Sequence, residues 1–181
     1  MNDFELVAGI SRREPEAFHE VMEHTAGRVV NLAVRFLGNR ADAEEIAQET
    51  FLRLYQHPPR LDPSSKLFTW VYRVAVNLCM DRLRKQSRTP PLDSVDVPEG
   101  PELSSASRGP RETAVGTETA SAVRRAVASL PDDLRAPLLL SAVEELPQAE
   151  IAQILEISPK AVERRLSRAR ALLKQRLQPY L

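Results

Sequence analysis

Two segments carry side chains whose types and spacing suit contact with a polyanion. Between Ile157 and Leu181, Lys160, Arg164, Arg165, Arg168, Arg170, Lys174 and Arg176 stand against one acid, Glu163. Between Lys66 and Arg88, Lys66, Arg73, Arg82, Arg84, Lys85 and Arg88 stand against Asp81. Arginine can donate two parallel hydrogen bonds to a guanine edge or a phosphate, whereas lysine supplies a point charge. The formal net charge of zero, taken alone, argues against nucleic acid. The acids, however, gather elsewhere: Asp42, Glu44, Glu45 and Glu49 in one stretch, and Asp132 to Glu156 in another. That separation predicts two contacts with a polyanion and acidic surfaces that face protein.

These side chains need helices to position them. In Gln148 to Arg168, Ile151, Ile154 and Leu155 fall on an inward face, and Ala152 is small where two crossed helices approach. Ile157 plugs the turn, Ser158 is a natural N-cap and Pro159 suits a first helical position. Val162, Leu166, Ala169 and Leu173 then recur at helical spacing. Lys160, Glu163, Arg164, Ser167, Arg168, Arg170 and Lys174 lie on the remaining arc. A short helix, a three-residue turn and a longer basic helix make a helix-turn-helix, which enters a major groove. Glu156 holds the turn position often given to glycine, so a left-handed backbone there carries mild strain.

The other basic segment predicts a helix over Leu67 to Gln86 with two faces. Leu67, Val71, Val74 and Leu78 make its apolar stripe. Lys66, Arg73, Asn77 and Arg84 make a polar stripe about a third of a turn away, with Trp70 at its edge. Asparagine and arginine on one face engage bases and phosphates; a core tryptophan beside a solvated polar face is the competing reading.

Three further helices are expected before this one: a short first helix capped by Asp3, a second from Pro15 to near Gly38, and a third from Asp42 to Tyr55. The third would bury Ile46, Ala47, Phe51 and Leu54. Pro58, Pro59 and Pro63 make 57–65 a loop. Ser87 to Glu118 has prolines, glycines and serines but no hydrophobic period, as a flexible linker does. Helices are expected again at Thr117 to Ser129, from Pro131, at Gln148 to Leu155 and at Ser158 to Leu177. The expected fold is all-α: an N-terminal domain over 1–87, a linker over 88–116 and a helix-turn-helix domain over 117–181.

Hydrophobic residues make up 43% of the 181, enough for a packed core without metal or disulfide. Cys79 is the single cysteine, and His19, His24 and His57 do not sit at metal-ligand spacing. No phosphate loop, GxSxG or HExxH is present, so neither catalytic residue, metal nor cofactor is expected. No apolar run approaches the ~18–20 residues of a membrane span, and Met1 to Ile10 lacks a signal-peptide pattern. A cytoplasmic, non-enzymatic protein is expected.

Three segments in order resemble bacterial RNA polymerase sigma factors. Asp42 to Tyr55, DAEEIAQETFLRLY, resembles their core-polymerase-binding helix. Phe68 to Arg84, FTWVYRVAVNLCMDRLR, resembles their −10-element helix, and Leu130 to Arg170, opening LPDDL and closing SRAR, their −35-element domain. Size and two-domain layout are similar to the extracytoplasmic-function (ECF) class. The resemblance implies that Asp42, Glu45, Gln48 and Glu49 meet the beta-prime clamp helices of core RNA polymerase, and that the second domain rests on the beta-flap. It implies that Asn77 helps hold a flipped −10 base, in a pocket formed by the loop from Pro58 to Lys66. Trp70 matches a partly structural tryptophan. Glu163, Arg164, Ser167 and Arg168 match the −35-reading positions, Glu163 where many relatives carry a basic residue. Glu145 and Pro147 replace a common glycine and serine. A cognate anti-sigma factor is a family expectation. A LuxR-like helix-turn-helix regulator shares the C-terminal pattern but lacks the 42–55 and 68–84 pair; a helical anti-sigma or adaptor module is the reading from another class.

Overall fold

A computed structural model of the chain describes residues 2–60, 66–88 and 110–180. Eight α-helices and no strand occur among the described residues: α1 (Asp3–Ser11), α2 (Pro15–Leu37), α3 (Arg40–Gln56), α4 (Leu67–Arg88), α5 (Pro110–Ala128), α6 (Asp132–Ala142), α7 (Gln148–Leu155) and α8 (Pro159–Leu177). A short 3-10 turn, Gln178–Tyr180, follows α8. The all-helical expectation is met. The stretch from 89 to 109, most of the expected linker, lies outside the described residues. α5 starts at Pro110, ahead of the expected Thr117.

Local chemistry explains the helix ends. Asn2, not Asp3, caps α1: Glu5 N–H donates to Asn2 Oδ1 at 2.9 Å, and Asn2 N–H donates to Glu5 Oε2 at 2.8 Å. This reciprocal box satisfies two otherwise orphaned donors. Asp3, one residue inside the helix, is left to reach elsewhere: its Oδ2 accepts from Leu67 N–H at 2.8 Å and caps α4 from a distance. α2 stops at Gly38, whose φ of 78° favours a residue without a Cβ. Asn39 then accepts from Asp42 N–H at 2.7 Å, so α3 begins at Arg40, before the expected Asp42.

The stripe expected on α3 holds, with Ile46, Ala47, Phe51 and Leu54 all buried. The stripe expected on α4 does not. Leu67 and Val71 are buried, but Val74 and Leu78 are only half-buried, while Tyr72, Ala75, Val76 and Cys79 are sealed. The reason is that α4 is covered from two sides, by α2 and α3 and also by α7. One core joins Leu6, Val7 and Ile10 of α1 to Val21, Phe51, Leu54 and Val71. A second runs without a break from Leu32, Phe36, Ile46, Tyr72 and Cys79 to Leu134, Leu140, Ile151, Val162 and Leu166. The N-terminal and C-terminal halves therefore share apolar packing. Burial pushes the Cys79 thiol up to about 12, which makes it inert.

Candidate nucleic-acid interface

The helix-turn-helix forms as its residues demand. α7 ends at Leu155; Glu156 takes the left-handed backbone, φ 54° and ψ 41°; Ile157 N–H reaches back to Ala152 O at 3.0 Å. Ser158 Oγ accepts from Ala161 N–H at 3.2 Å and opens α8 with Pro159 in its first turn. Ile151, Ala152, Ile154, Val162, Leu166 and Ala169 are buried at the crossing, and Leu155 and Leu173 half-buried at its edge. Glu145 also takes a positive φ, 53°, at one of the positions where a glycine is common in the resembling family.

This crossing turns the opposite arc of α8 to solvent. Lys160, Glu163, Arg164, Ser167, Arg168, Arg170 and Lys174 are all exposed, and none has a side-chain hydrogen bond or ion pair among the described residues. Arg176 differs: it donates to Ser129 Oγ at 2.8 Å and ties the end of α8 to α5. Buried Arg135 does similar work, donating to Leu130 O at 2.9 Å and to Ala128 O across the α5–α6 corner. Desolvation lowers its pKa, opposed by nearby Asp132.

The five candidate residues at α4 are placed differently. Lys66 is ion-paired to Glu150. Arg73 lies 3.1 Å from Glu156 Oε1 and donates from Nη2 to Gln153 O at 2.8 Å. Arg84 pairs with Asp81 at 3.3 Å, in its own helix. Asn77 is exposed; Trp70 is half-buried against the N-terminal core. So Asn77 stays open, Arg84 is paired only within its own helix, and Lys66 and Arg73 are occupied by α7 and the turn that follows it.

On α3, Asp42 is committed to structure. It meets Arg82, Gln86 and Asn39, and Arg82 also donates to Glu45 Oε2 at 2.6 Å. That hydrogen bond to Glu45 is the main reason the Arg82 pKa is raised. Glu49 holds Arg53 at 2.8 Å, and Gln48 is exposed. Glu45, Gln48 and Glu49 line a groove between α3 and α4, with Leu52 exposed to 47% on its rim. The sequence alone did not single out Leu52, for which an apolar residue on the outward arc of α3 was the available signal, and it placed Arg82 among the polyanion contacts, whereas the structure pairs it with Asp42 and Glu45. It also missed Arg13, which donates to Tyr55 O at 2.6 Å and lies 4.3 Å over the Tyr55 ring. With Asp3 on Leu67, this braces both described stems of the segment between α3 and α4.

Among the described residues no cluster of His, Cys, Asp and Glu suits a metal ion, and no helix is long and apolar enough to cross a membrane.

Residues 21–89 match the family described as Sigma-70 region 2, and residues 120–173 match Sigma-70, region 4. The chain is 33% identical to the ECF RNA polymerase sigma factor SigW of Bacillus subtilis (strain 168), over 93% of this chain and 92% of that protein. It is 28% identical to the ECF RNA polymerase sigma-E factor of Escherichia coli (strain K12), over 100% of this chain and 97% of that one. Among solved structures, CnrH in complex with the cytosolic domain of CnrY has a TM-score of 0.68 at 24% identity, covering 98% of this chain and 97% of that chain. The sigma factor RpoE of Bartonella quintana, solved with the anti-sigma factor NepR, has a TM-score of 0.69 at 18% identity, covering 89% and 96%. Both matched regions fall on the helices that carry the basic arcs. The chain thus belongs to the ECF class of bacterial sigma factors, which recognise promoter DNA together with core RNA polymerase.

Proposed function

We propose that this sigma factor divides the work along its chain. The α3 face formed by Glu45, Gln48 and Glu49, with Asp42 holding its geometry, docks on the beta-prime clamp helices. Lys66, Trp70, Arg73, Asn77 and Arg84, on and before α4, hold the −10 element, and Asn77 takes part in base capture. Lys160, Glu163, Arg164, Ser167, Arg168, Arg170 and Lys174 of α8 hold the −35 element, with the C-terminal domain on the beta-flap. The proposed domains are 1–87 and 117–181 joined by 88–116, a connection into which the first residues of α5 extend. The protein performs no catalysis, which stays with the polymerase, and it acts in the cytoplasm. An anti-sigma partner is part of the proposal, supported by the RpoE neighbour being solved with one.

The observation that carries this reading is the outer arc of α8: exposed, basic and, among the described residues, without side-chain partners, on the second helix of a helix-turn-helix. Run-off transcription with core polymerase on a promoter library tests it. Protein-dependent transcripts with shared −10 and −35 sequences are expected; transcription no different from core alone overturns the reading. In the same assay Asn77→Ala is expected to reduce permanganate reactivity of the melted bubble by about tenfold, as the loss of one desolvated polar contact does. Closed-complex binding should change much less. Equal footprints would remove Asn77 from base capture.

Charge reversal on α3 is a separate check. Glu45→Lys with Glu49→Lys is expected to weaken core binding by roughly tenfold or more, as for charges facing an oppositely charged partner. Circular dichroism should be unchanged, since both carboxylates are paired only at the surface. Native core affinity in a folded double variant would place the polymerase contact elsewhere.

A further inference from the structure

Two side chains at the ends of α1 serve helices far from it in sequence. The C-terminus of α1 closes in a Schellman turn: Arg13 N–H donates to Ile10 O at 3.0 Å and Glu14 N–H to Gly9 O at 2.9 Å. The left-handed position of such a turn, φ 62° here, ordinarily goes to glycine, and this chain places Arg13 there. A residue kept against its local preference points to a task for its side chain. The Arg13 guanidinium reaches α3, where Nη1 donates to Tyr55 O at 2.6 Å and the group lies 4.3 Å over the Tyr55 ring. Phe18 meets the same ring edge-on, with centroids 5.5 Å apart. The corner is pinned, since α1 crosses α2 so closely that a Cβ on Gly9 would stand 2.6 Å from the Ala17 Cβ.

The other end of α1 works in the same way. Asn2 caps α1, which leaves Asp3 to accept from Leu67 N–H, the first donor of α4. Each contact satisfies a backbone group that the receiving helix leaves open. A carboxylate sits at the start of α4 and a guanidinium at the end of α3, each with the charge that the helix dipole favours. Between them α1 is a rod roughly 13 Å long at 1.5 Å per residue. Its Leu6, Val7 and Ile10 share one core with Phe51 and Leu54 of α3 and with Leu67 and Val71 of α4. The chain between Gln56 and Leu67 would span up to roughly 36 Å if extended, so backbone continuity does not fix the gap between these two helix ends. The first backbone bond of α4, Trp70 N–H to Lys66 O, is long at 3.4 Å. That turn therefore depends on Asp3 and on the apolar contact with α1.

Lys66 and Trp70 stand on this turn, and Asn77 lies about two turns further along α4 at 3.6 residues per turn. We propose that α1 is a positioning element for −10 recognition: Asp3 and Arg13, without touching DNA, hold the first turn of α4 and the end of α3 in the register that lets Lys66, Trp70 and Asn77 meet the −10 element together. The inference rests on the assignment of those residues to −10 DNA. Position 13 allows fold and function to be separated. Glycine suits its backbone better than arginine, so Arg13→Gly removes the contact with Tyr55 while relieving the left-handed strain. An exposed contact of this kind contributes little to stability.

The test uses the full chain with core polymerase on the promoter that the native protein selects. Arg13→Gly is expected to keep its helical signal at the assay temperature and its −35 duplex affinity. Permanganate reactivity of the melted bubble is expected to fall about tenfold, because a misplacement of about 1 Å at a positioned contact costs up to roughly a hundredfold. Asp3→Ala should behave alike, whereas Asp3→Asn, which keeps an oxygen for Leu67 N–H, should retain most of the reactivity. Arg12→Ala removes an exposed cation of the same corner that holds Glu14, and as the control it should open the promoter as the native protein does. Native reactivity in both Arg13→Gly and Asp3→Ala overturns the proposal. If Asn77→Ala is then native too, the −10 assignment fails with it; if Asn77→Ala alone fails to open, that assignment stands. Loss of helical signal, or of −35 binding in step with opening, marks a brace of the fold only and overturns the proposal. An Asp3→Asn defect equal to that of Asp3→Ala overturns the capping role of Asp3. A salt slope flattened by about one unit in Arg13→Gly makes Arg13 a phosphate contact and overturns its positioning role.

Discussion

Leu166→Ala is expected to cost about 2–5 kcal/mol of stability, the range for truncating a sealed leucine and leaving a cavity. Leu166 is 1% exposed on α8 and belongs to the core with Ile151, Val162 and Leu140. It is the inward counterpart of the exposed basic arc, so its loss frees α8 from α7 without touching a side chain of that arc. At roughly 2–4 °C per kcal/mol for a chain of this size, the melting temperature should fall by about 4–20 °C. Binding to a −35 duplex should fail at temperatures where the native chain still binds. The same core runs into α2 and α4. Fluorescence of Trp70, the single tryptophan and a resident of the N-terminal half, should therefore shift its midpoint together with the far-ultraviolet signal. A loss below ~1 kcal/mol would mean that the site collapses around alanine. A Trp70 midpoint left in place would mean that the halves unfold independently.

The second large effect lies on the other side of the same helix. Arg168→Ala is expected to lower affinity for the selected −35 duplex by about 1–3 kcal/mol and to relax preference at one base pair. Arg168 and Arg164 are exposed and unpaired among the described residues, so their guanidinium forks are not already spent. Glu163 cannot donate; it can accept from a cytosine amino group and it repels phosphate, so Glu163→Ala should loosen discrimination more than affinity. Ser167 is short and allows close approach. Lys160, Arg170 and Lys174 are suited to phosphates. Lys174→Ala should weaken all sequences alike and flatten the salt slope by about one unit. A binding selection on randomised −35 duplexes, repeated for each variant, reads these apart. If Glu163→Ala and Arg168→Ala both return the native sequence, this arc does not read bases.

The helix-turn-helix was legible residue by residue because its signals are local. The period of Val162, Leu166 and Ala169, the Ser158 cap, the following proline and the strained Glu156 all act within a turn or two of chain. The buried stripe of α3 was legible for the same reason. The α4 stripe was not: Val74 and Leu78 stand at core spacing yet are half-buried, while Tyr72 and Val76 are sealed. Periodicity reports one apolar arc, and α4 has two neighbours to satisfy. Asp3 stands in sequence where a cap for α1 would be, but its carboxylate accepts from Leu67 N–H, 64 positions away, a partner no local pattern reports.

Local sequence alone determined the element types, the exposed basic arc of α8 and the Asn2-to-Glu156 succession of caps and turns within reach of each other along the chain. Tertiary structure alone decided which charges are spent. The acids from Asp132 to Glu156 were expected to face protein, and tertiary structure sets which protein surface three of them meet: Glu144, Glu150 and Glu156 face the chain's own N-terminal half. Lys66 and Glu150 are 84 positions apart, and Arg28 and Glu144 are 116 apart. No periodicity spans such gaps. Those pairings follow from how whole apolar faces dock, a sum over many weak contacts, and only after the faces have met does a carboxylate acquire the cation it holds.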